Sequence, residues 1–191
     1  MSGPRVERAL SLLALSYFAA VALGVVLDLG PEGVASSPAH LADGEAWLLF
    51  TSALAVEGRL PLAQVAVAAL AAFAVIRVYG AVPWWGAVIA AHVGSALAAY
   101  AVIGVFDAFS VESAERVGRD LDYGVSVVLT GSLGALFGGA VMRGRRDVAV
   151  AAALGLAAIL PLSLDWYGIE HPLGFAFGAG FMVWWERRAG D

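Results

Sequence analysis

Long apolar runs, separated by short charged stretches, constrain this chain more than any other feature of its sequence. Six runs share this pattern, at about residues 9–27, 61–76, 84–106, 122–142, 148–164 and 171–185. About 20 apolar residues in a helix cross the hydrocarbon core of a bilayer. Since 61% of all residues are hydrophobic and only 14% are charged, the composition excludes an ordinary soluble domain. The sequence predicts an all-α membrane protein with six transmembrane helices, forming one domain over residues 1–191.

The distribution of arginine predicts how these spans are oriented. All 11 basic residues are arginine. In a six-span topology eight of them share the side of the N-terminus and three lie opposite. The two groups are Arg5, Arg8, Arg77, Arg143, Arg145, Arg146, Arg187 and Arg188, against Arg59, Arg116 and Arg119. Because positive residues favour the cytoplasmic side, both termini are predicted to be cytoplasmic.

Two further expectations follow from composition and from the loops. An acid-rich chain without lysine is typical of a microbial protein, so the predicted location is a prokaryotic plasma membrane, crossed several times. Residues 45–60 are half-apolar and too interrupted to span. They are predicted to form short helices in the outer interface, with Trp47 as an anchor.

Small residues recur at helical spacing in the fourth and sixth runs. Gly131, Gly134 and Gly138 follow one another at intervals of three and four, and Gly174 and Gly178 form a G-x-x-x-G pattern. Small residues let two membrane helices approach closely, because association in lipid depends on van der Waals packing. We expect these five glycines to line a contact between the fourth and sixth helices.

Two polar side chains lie near the outer ends of the same two helices. Ser126 comes four residues after Asp122, which is predicted to cap the fourth helix, and His171 begins the sixth. A serine hydroxyl becomes a nucleophile when a base such as histidine lies beside it. The structural alternatives are a serine bonded to a carbonyl of its own helix and a histidine bonded to Glu170 or Asp165 at the interface.

The motifs around these residues resemble those of the rhomboid intramembrane serine proteases. GVSVVLTGSLGALFGG is similar to the family's G-x-S-G helix, HPLGFAFGAG to its H-x-x-G-x-x-x-G helix, and AWLLFTSAL to its W-R-x-x-T-s loop. Order and spacing agree from about residue 45 to residue 185. The resemblance implies a rhomboid-like bundle in which Ser126 is the nucleophile and His171 the general base of a dyad. It also implies that the fifth span is a lateral gate for a transmembrane protein substrate.

The resemblance also implies an oxyanion site. The backbone around Ser126, including Gly124, would supply part of it. Where the family's second span carries a histidine and an asparagine, this chain reads RLPLAQVAV, so Gln64 and His92 are the candidate donors. For His92, a packing role inside the third span is the structural alternative.

Other site types are absent from the sequence. The chain has no cysteine, its three histidines form no HExxH motif, and no basic patch indicates nucleic acid. We therefore expect no metal and no cofactor, and the predicted partners are the lipid bilayer and a transmembrane protein. The oligomeric state is not predicted. An alternative function stays open: a proteolytically inactive rhomboid-like protein that binds transmembrane segments.

Overall fold

The computed structural model describes residues 3–56, 58, 60–109, 112–162 and 166–190. Helices dominate this part of the chain, and we label the α-helices in chain order. They are α1 (Pro4–Val26), α2 (Pro38–Ala42), α3 (Leu48–Thr51), α4 (Pro61–Tyr79), α5 (Ala81–Ala108), α6 (Glu112–Val117), α7 (Val125–Met142), α8 (Arg146–Ile159) and α9 (Glu170–Gly190). The predicted all-helical class is confirmed.

Among the described residues, four helices are long and apolar enough to cross a membrane, namely α1, α4, α5 and α7. They correspond to the first four predicted spans. The fifth run is helical only over the 14 residues of α8, about 21 Å, followed by a 3-10 turn at Leu160–Leu162. The end of that predicted span, residues 163 and 164, lies outside the described residues. The sixth run forms α9, whose 21 residues include the charged segment near the C-terminus.

The tight turn between α4 and α5 shows how local sequence sets the helix boundaries. Gly80 ends α4 with a φ of +100°, a left-handed conformation that glycine adopts without strain. The chain then enters α5 at once. Glu7 Oε2 on α1 accepts a hydrogen bond from the Ala81 N–H at 2.7 Å, so one of the free N–H groups of the helix start is satisfied.

Helix α7 lies at the centre of the bundle, in contact with α4, α5, α8 and α9. The helices around α7 contribute side chains that are completely buried in the bundle, namely Trp84 of α5, Val75 of α4 and Met182 of α9. The Trp84 indole N–H donates to Ser132 Oγ at 3.0 Å, which satisfies a polar group that burial would otherwise leave costly.

One end of the bundle, which we call the Arg143 end, is held by a charged clamp. The Arg143 guanidinium donates two hydrogen bonds of 2.9 Å to the Glu186 carboxylate and lies 4.3 Å above the centroid of the Tyr79 ring. These contacts join α4, α7 and α9. Bidentate pairing of this kind fixes geometry as well as energy.

The opposite end, which we call the Asp122 end, carries the segment predicted to be interfacial. Within residues 45–60 the chain forms α3 and a 3-10 turn at Ser52–Leu54, with the Trp47 side chain exposed. An isolated antiparallel bridge pairs Ser36 with Asp122. The starts of α7 and α9 lie at this end.

Candidate functional site

Helices α7 and α9 run parallel and touch along their glycines. A Cβ atom added at Gly178 would overlap the Gly131 carbonyl oxygen, and one at Gly134 would overlap the Phe175 carbonyl oxygen. A Cβ at Gly174 would lie 2.9 Å from Val127 Cγ1. The backbones of the two helices therefore meet directly at Gly178 and Gly134, and at Gly174 the α9 backbone packs against the Val127 side chain.

Ser126 lies in the first turn of α7, next to this contact face. Its side chain is half-buried, and its hydroxyl donates to the Tyr123 carbonyl oxygen at 3.4 Å, the long end of the usual range. Successive helical residues are rotated by about 100°, so Ser126 borders the face on which Val127 meets Gly174. The acceptor of the hydrogen bond from the Ser126 hydroxyl is a backbone carbonyl oxygen and not the imidazole of His171.

His171 lies in the first turn of α9 and is buried. It is three and seven residues before Gly174 and Gly178, so it shares the helix face that contacts α7. Because Gly174 is level with Val127, His171 lies about two residues, or roughly 3 Å, further toward the Asp122 end than Ser126 does. The structure thus brings both residues to the same end of two touching helices.

The start of α7 is held by the interfacial segment. The Gly124 N–H donates to the Ser52 carbonyl oxygen at 3.0 Å, and the Val125 N–H donates to the Ala55 carbonyl oxygen at 3.3 Å. In this structure the Gly124 N–H, a predicted oxyanion donor, therefore has a protein partner. Carbonyl groups of a neighbouring segment replace the side-chain cap that usually satisfies such N–H groups.

His92, the other candidate donor, packs directly against this helix start. Its Nε2 atom lies 3.1 Å from Ser52 Oγ, and both side chains are buried. A Cβ atom at Gly124 would overlap His92 Cε1 and lie 2.8 Å from the Ala53 Cα atom. His92 therefore contributes packing and one hydrogen bond between α5, the interfacial segment and the start of α7.

Gln64 lies in the first turn of α4. Its amide nitrogen is 2.7 Å from the position that a Cβ atom would take at Gly58, which has a φ of +118°. The Gln64 side chain is thus directed to the segment that precedes α4. This position belongs to the Asp122 end, as an oxyanion donor would require.

A buried polar cluster at the Asp122 end was not expected from the sequence. The Tyr100 hydroxyl donates to Asp122 Oδ2 at 2.9 Å and lies 2.6 Å from Ser36 Oγ. The Asp122 N–H donates to the Ser36 carbonyl oxygen at 2.8 Å. Glu170, 1% exposed, lies beside the same carboxyl. The prediction that Asp122 caps α7 is therefore wrong. Gly124 occupies the cap position, without a side-chain hydrogen bond.

Burial changes the acidity of Asp122. It raises the pKa of the carboxyl to about 6, while hydrogen bonds from Tyr100, Glu170, the Tyr123 backbone and Ser36 act in the opposite direction. Desolvation disfavours the ionised form, and donors directed at the carboxylate favour it. A charged Asp122 at neutral pH is accordingly costly.

The cluster has no spacing signal, because its members come from four separate segments. The sequence indicates this cluster in one way only: an acidic residue lies beside each of the two helix starts, at Asp122 and Glu170. Within the described part of the chain, no group of three or more histidine, aspartate or glutamate side chains is placed to hold a metal ion.

Comparison with family models, with curated proteins and with solved structures finds no match to this chain. The function is therefore argued from the site alone.

Proposed function

We propose that the protein is a rhomboid-like intramembrane serine protease that cleaves membrane-anchored proteins with Ser126 and His171. The observation that supports this most is their placement, in the first turns of two parallel helices that meet at backbone contact. In this proposal, rotation at the helix starts, where Gly124 precedes α7, brings the Ser126 hydroxyl and the His171 imidazole together. Hydrogen bonds of catalytic pairs are often looser before substrate binds.

In the proposed reaction, His171 takes the proton of Ser126 as the hydroxyl oxygen attacks a peptide carbonyl, and then returns it to the leaving amine. Ser126 must first exchange its bond to Tyr123 O, which is long and worth about 1 kcal/mol. The tetrahedral oxyanion would lie at the positive end of α7, where the helix dipole favours negative charge. Gln64 and His92 approach this end and are the side chains that would donate to it.

The proposal places the Asp122 end at the outer face of a prokaryotic plasma membrane, with six spans and both termini in the cytoplasm. The clustering of arginine toward the Arg143 end supports this orientation. The short α8 would be the lateral gate, because among the long helices it contacts mainly α7 and leaves much of its surface to lipid.

We expect Ser126 to react with a fluorophosphonate probe in membranes, since such probes require an activated serine. Ser126→Ala and His171→Asn should each abolish labelling, and peptide mass spectrometry should find the adduct on Ser126. Ser11→Ala is the matched control: Ser11 is also half-buried and donates to a carbonyl of its own helix, Glu7 O, at 2.8 Å. Labelling that persists in Ser126→Ala would refute the assignment.

A second function is favoured by one observation, the hydrogen bond from the Ser126 hydroxyl to the carbonyl oxygen of Tyr123, just before its own helix. A hydroxyl used in this way is not activated. The protein would then bind transmembrane segments without cutting them. These segments would enter past α8, the proposed lateral gate. A folded wild-type protein that never labels, yet retains a transmembrane peptide on affinity resin, supports this alternative.

The orientation has its own test. Because the chain contains no cysteine, Asp43→Cys and Arg187→Cys each provide a single thiol. Both positions are exposed, one near the Asp122 end and one near the Arg143 end. In intact cells an impermeant maleimide should label Asp43→Cys, while Arg187→Cys should react only after lysis. Labelling of both before lysis would exclude the six-span topology.

A further inference from the structure

Two carboxyl groups are buried side by side where α7 and α9 begin. Asp122 is 3% exposed and Glu170 is 1% exposed, and Glu170 lies close enough to the Asp122 carboxyl to influence its pKa. A hydrogen bond between two carboxyl groups requires a proton on one of them, because two ionised carboxylates offer acceptors only. A hydrogen bond between these two carboxyl groups therefore forms only while the pair holds at least one proton.

The surroundings of the pair come from every element packed there. Tyr100 of α5 and Ser36 of the loop before α2 bond to Asp122, and the Tyr123 backbone N–H donates to the same carboxyl. On α9, the titratable neighbour is His171, directly after Glu170. Arg119 and Asp120 precede the pair in the chain and are exposed.

We propose that Asp122 and Glu170 share one proton at neutral pH and so form a latch that joins the starts of α7 and α9. Loss of this proton leaves two negative charges in a buried site, where repulsion is strong. The glycine contact at Gly131 and Gly178 lies further down the helices and holds regardless of pH. Alkaline pH should therefore part only the helix starts.

The pKa of Asp122, near 6, makes it the ionised member of the proposed pair at neutral pH, and the 1% exposure of Glu170 favours the protonated form of that carboxyl. The helix starts that the latch joins also carry Ser126 and His171. The latch does not depend on Ser126 being a nucleophile, however. A readout of distance rather than of proteolysis thus separates failure of the latch from failure of the proposed protease.

The test measures the separation of the helix starts in the full chain, reconstituted in nanodiscs. Nitroxide labels are placed at Leu121→Cys and Ala176→Cys, one half-buried before α7 and one exposed on α9. Between about pH 7 and about pH 10, where buried carboxyls lose their protons, the label distance should shift to longer values in the otherwise wild-type protein. Glu170→Gln keeps a donor toward Asp122 but cannot titrate, so its distance should stay short throughout.

The matched control is Glu186→Gln on the same helix, at a carboxylate that pairs with Arg143 rather than with a second acid. It should keep the full alkaline shift. Asp122→Asn repeats the test with the other partner, and its distance should also be independent of pH. An unchanged distance in the wild type, or an equal shift in wild type and Glu170→Gln, would overturn the latch.

Discussion

Gly178→Ala should lower the free energy of unfolding by about 3 kcal/mol, the upper range for overpacking a tight contact. The added methyl group would overlap the Gly131 carbonyl oxygen and lie 3.0 Å from the carbonyl carbon. These are backbone atoms of α7, which cannot rotate away as a side chain would. The two helices would have to separate along the whole contact, and the packing at Gly134 and Gly138 would loosen with it.

Gly180→Ala on the same helix is the matched control. A Cβ atom at Gly180 meets nothing within 4 Å, so this change should raise stability by up to about 1 kcal/mol through helix propensity. Ala179 is unsuitable as a control, since its backbone contacts Gly134 and Gly138. Unfolding in detergent, followed by circular dichroism against denaturant, gives both values. Similar losses for Gly178→Ala and Gly180→Ala would show that α7 and α9 do not meet as described.

Helix positions could be predicted because hydropathy and boundary residues agree. The second predicted span, residues 61–76, begins at the same proline as α4, whose ring is tolerated in a first helical turn. The third, 84–106, differs from α5 only by a few residues at each end. Apolar length and a breaker at the boundary are local properties, so the sequence carries them directly.

The fifth apolar run shows where hydropathy is insufficient to predict the length of a helix. The fifth predicted span, 148–164, extends beyond the end of α8 at Ile159, where the chain tightens into the 3-10 turn Leu160–Leu162 that contains Pro161. Proline both lacks an N–H group and restricts the residue before it. Length alone therefore overestimates this helix.

The polar contacts at the Asp122 end could not be predicted, because their partners are distant in sequence. Ser36 and Tyr100 are 64 residues apart, and His92 and Ser52 are 40 apart. Asp122 before a helix has the sequence of an N-cap, yet tertiary partners at Tyr100 and Glu170 take its carboxyl. The Gly124 N–H, in turn, is satisfied by the Ser52 carbonyl. Capping rules describe isolated helix ends, whereas here a carbonyl group of the interfacial segment accepts the hydrogen bond that a capping side chain would accept.

Asp122 should also make the stability of the protein depend on pH in the acidic range. Its pKa is about 6 in the folded protein and 3.8 as the ordinary value. A raised pKa means that the folded state binds the proton more tightly, so its contribution is fully present below about pH 4 and is lost as pH rises to about 6. At 1.36 kcal/mol for each pKa unit, this loss amounts to about 3 kcal/mol.

Asp122→Asn removes the titration but retains an oxygen that accepts from the Tyr100 hydroxyl. Relative to wild type, the variant should gain about 3 kcal/mol of stability between pH 4 and pH 7, because only the wild type loses its proton. Asp147→Asn is the control: this exposed acid has a lowered pKa through its hydrogen bond to Arg145, so it should not reproduce the gain. Denaturant unfolding at several pH values gives the difference directly. The free energies of unfolding of wild type and variant could instead differ by a constant amount from pH 4 to pH 7. Asp122 would then ionise in the folded protein as readily as in water, and the cluster of Tyr100, Ser36 and Glu170 would not bury it.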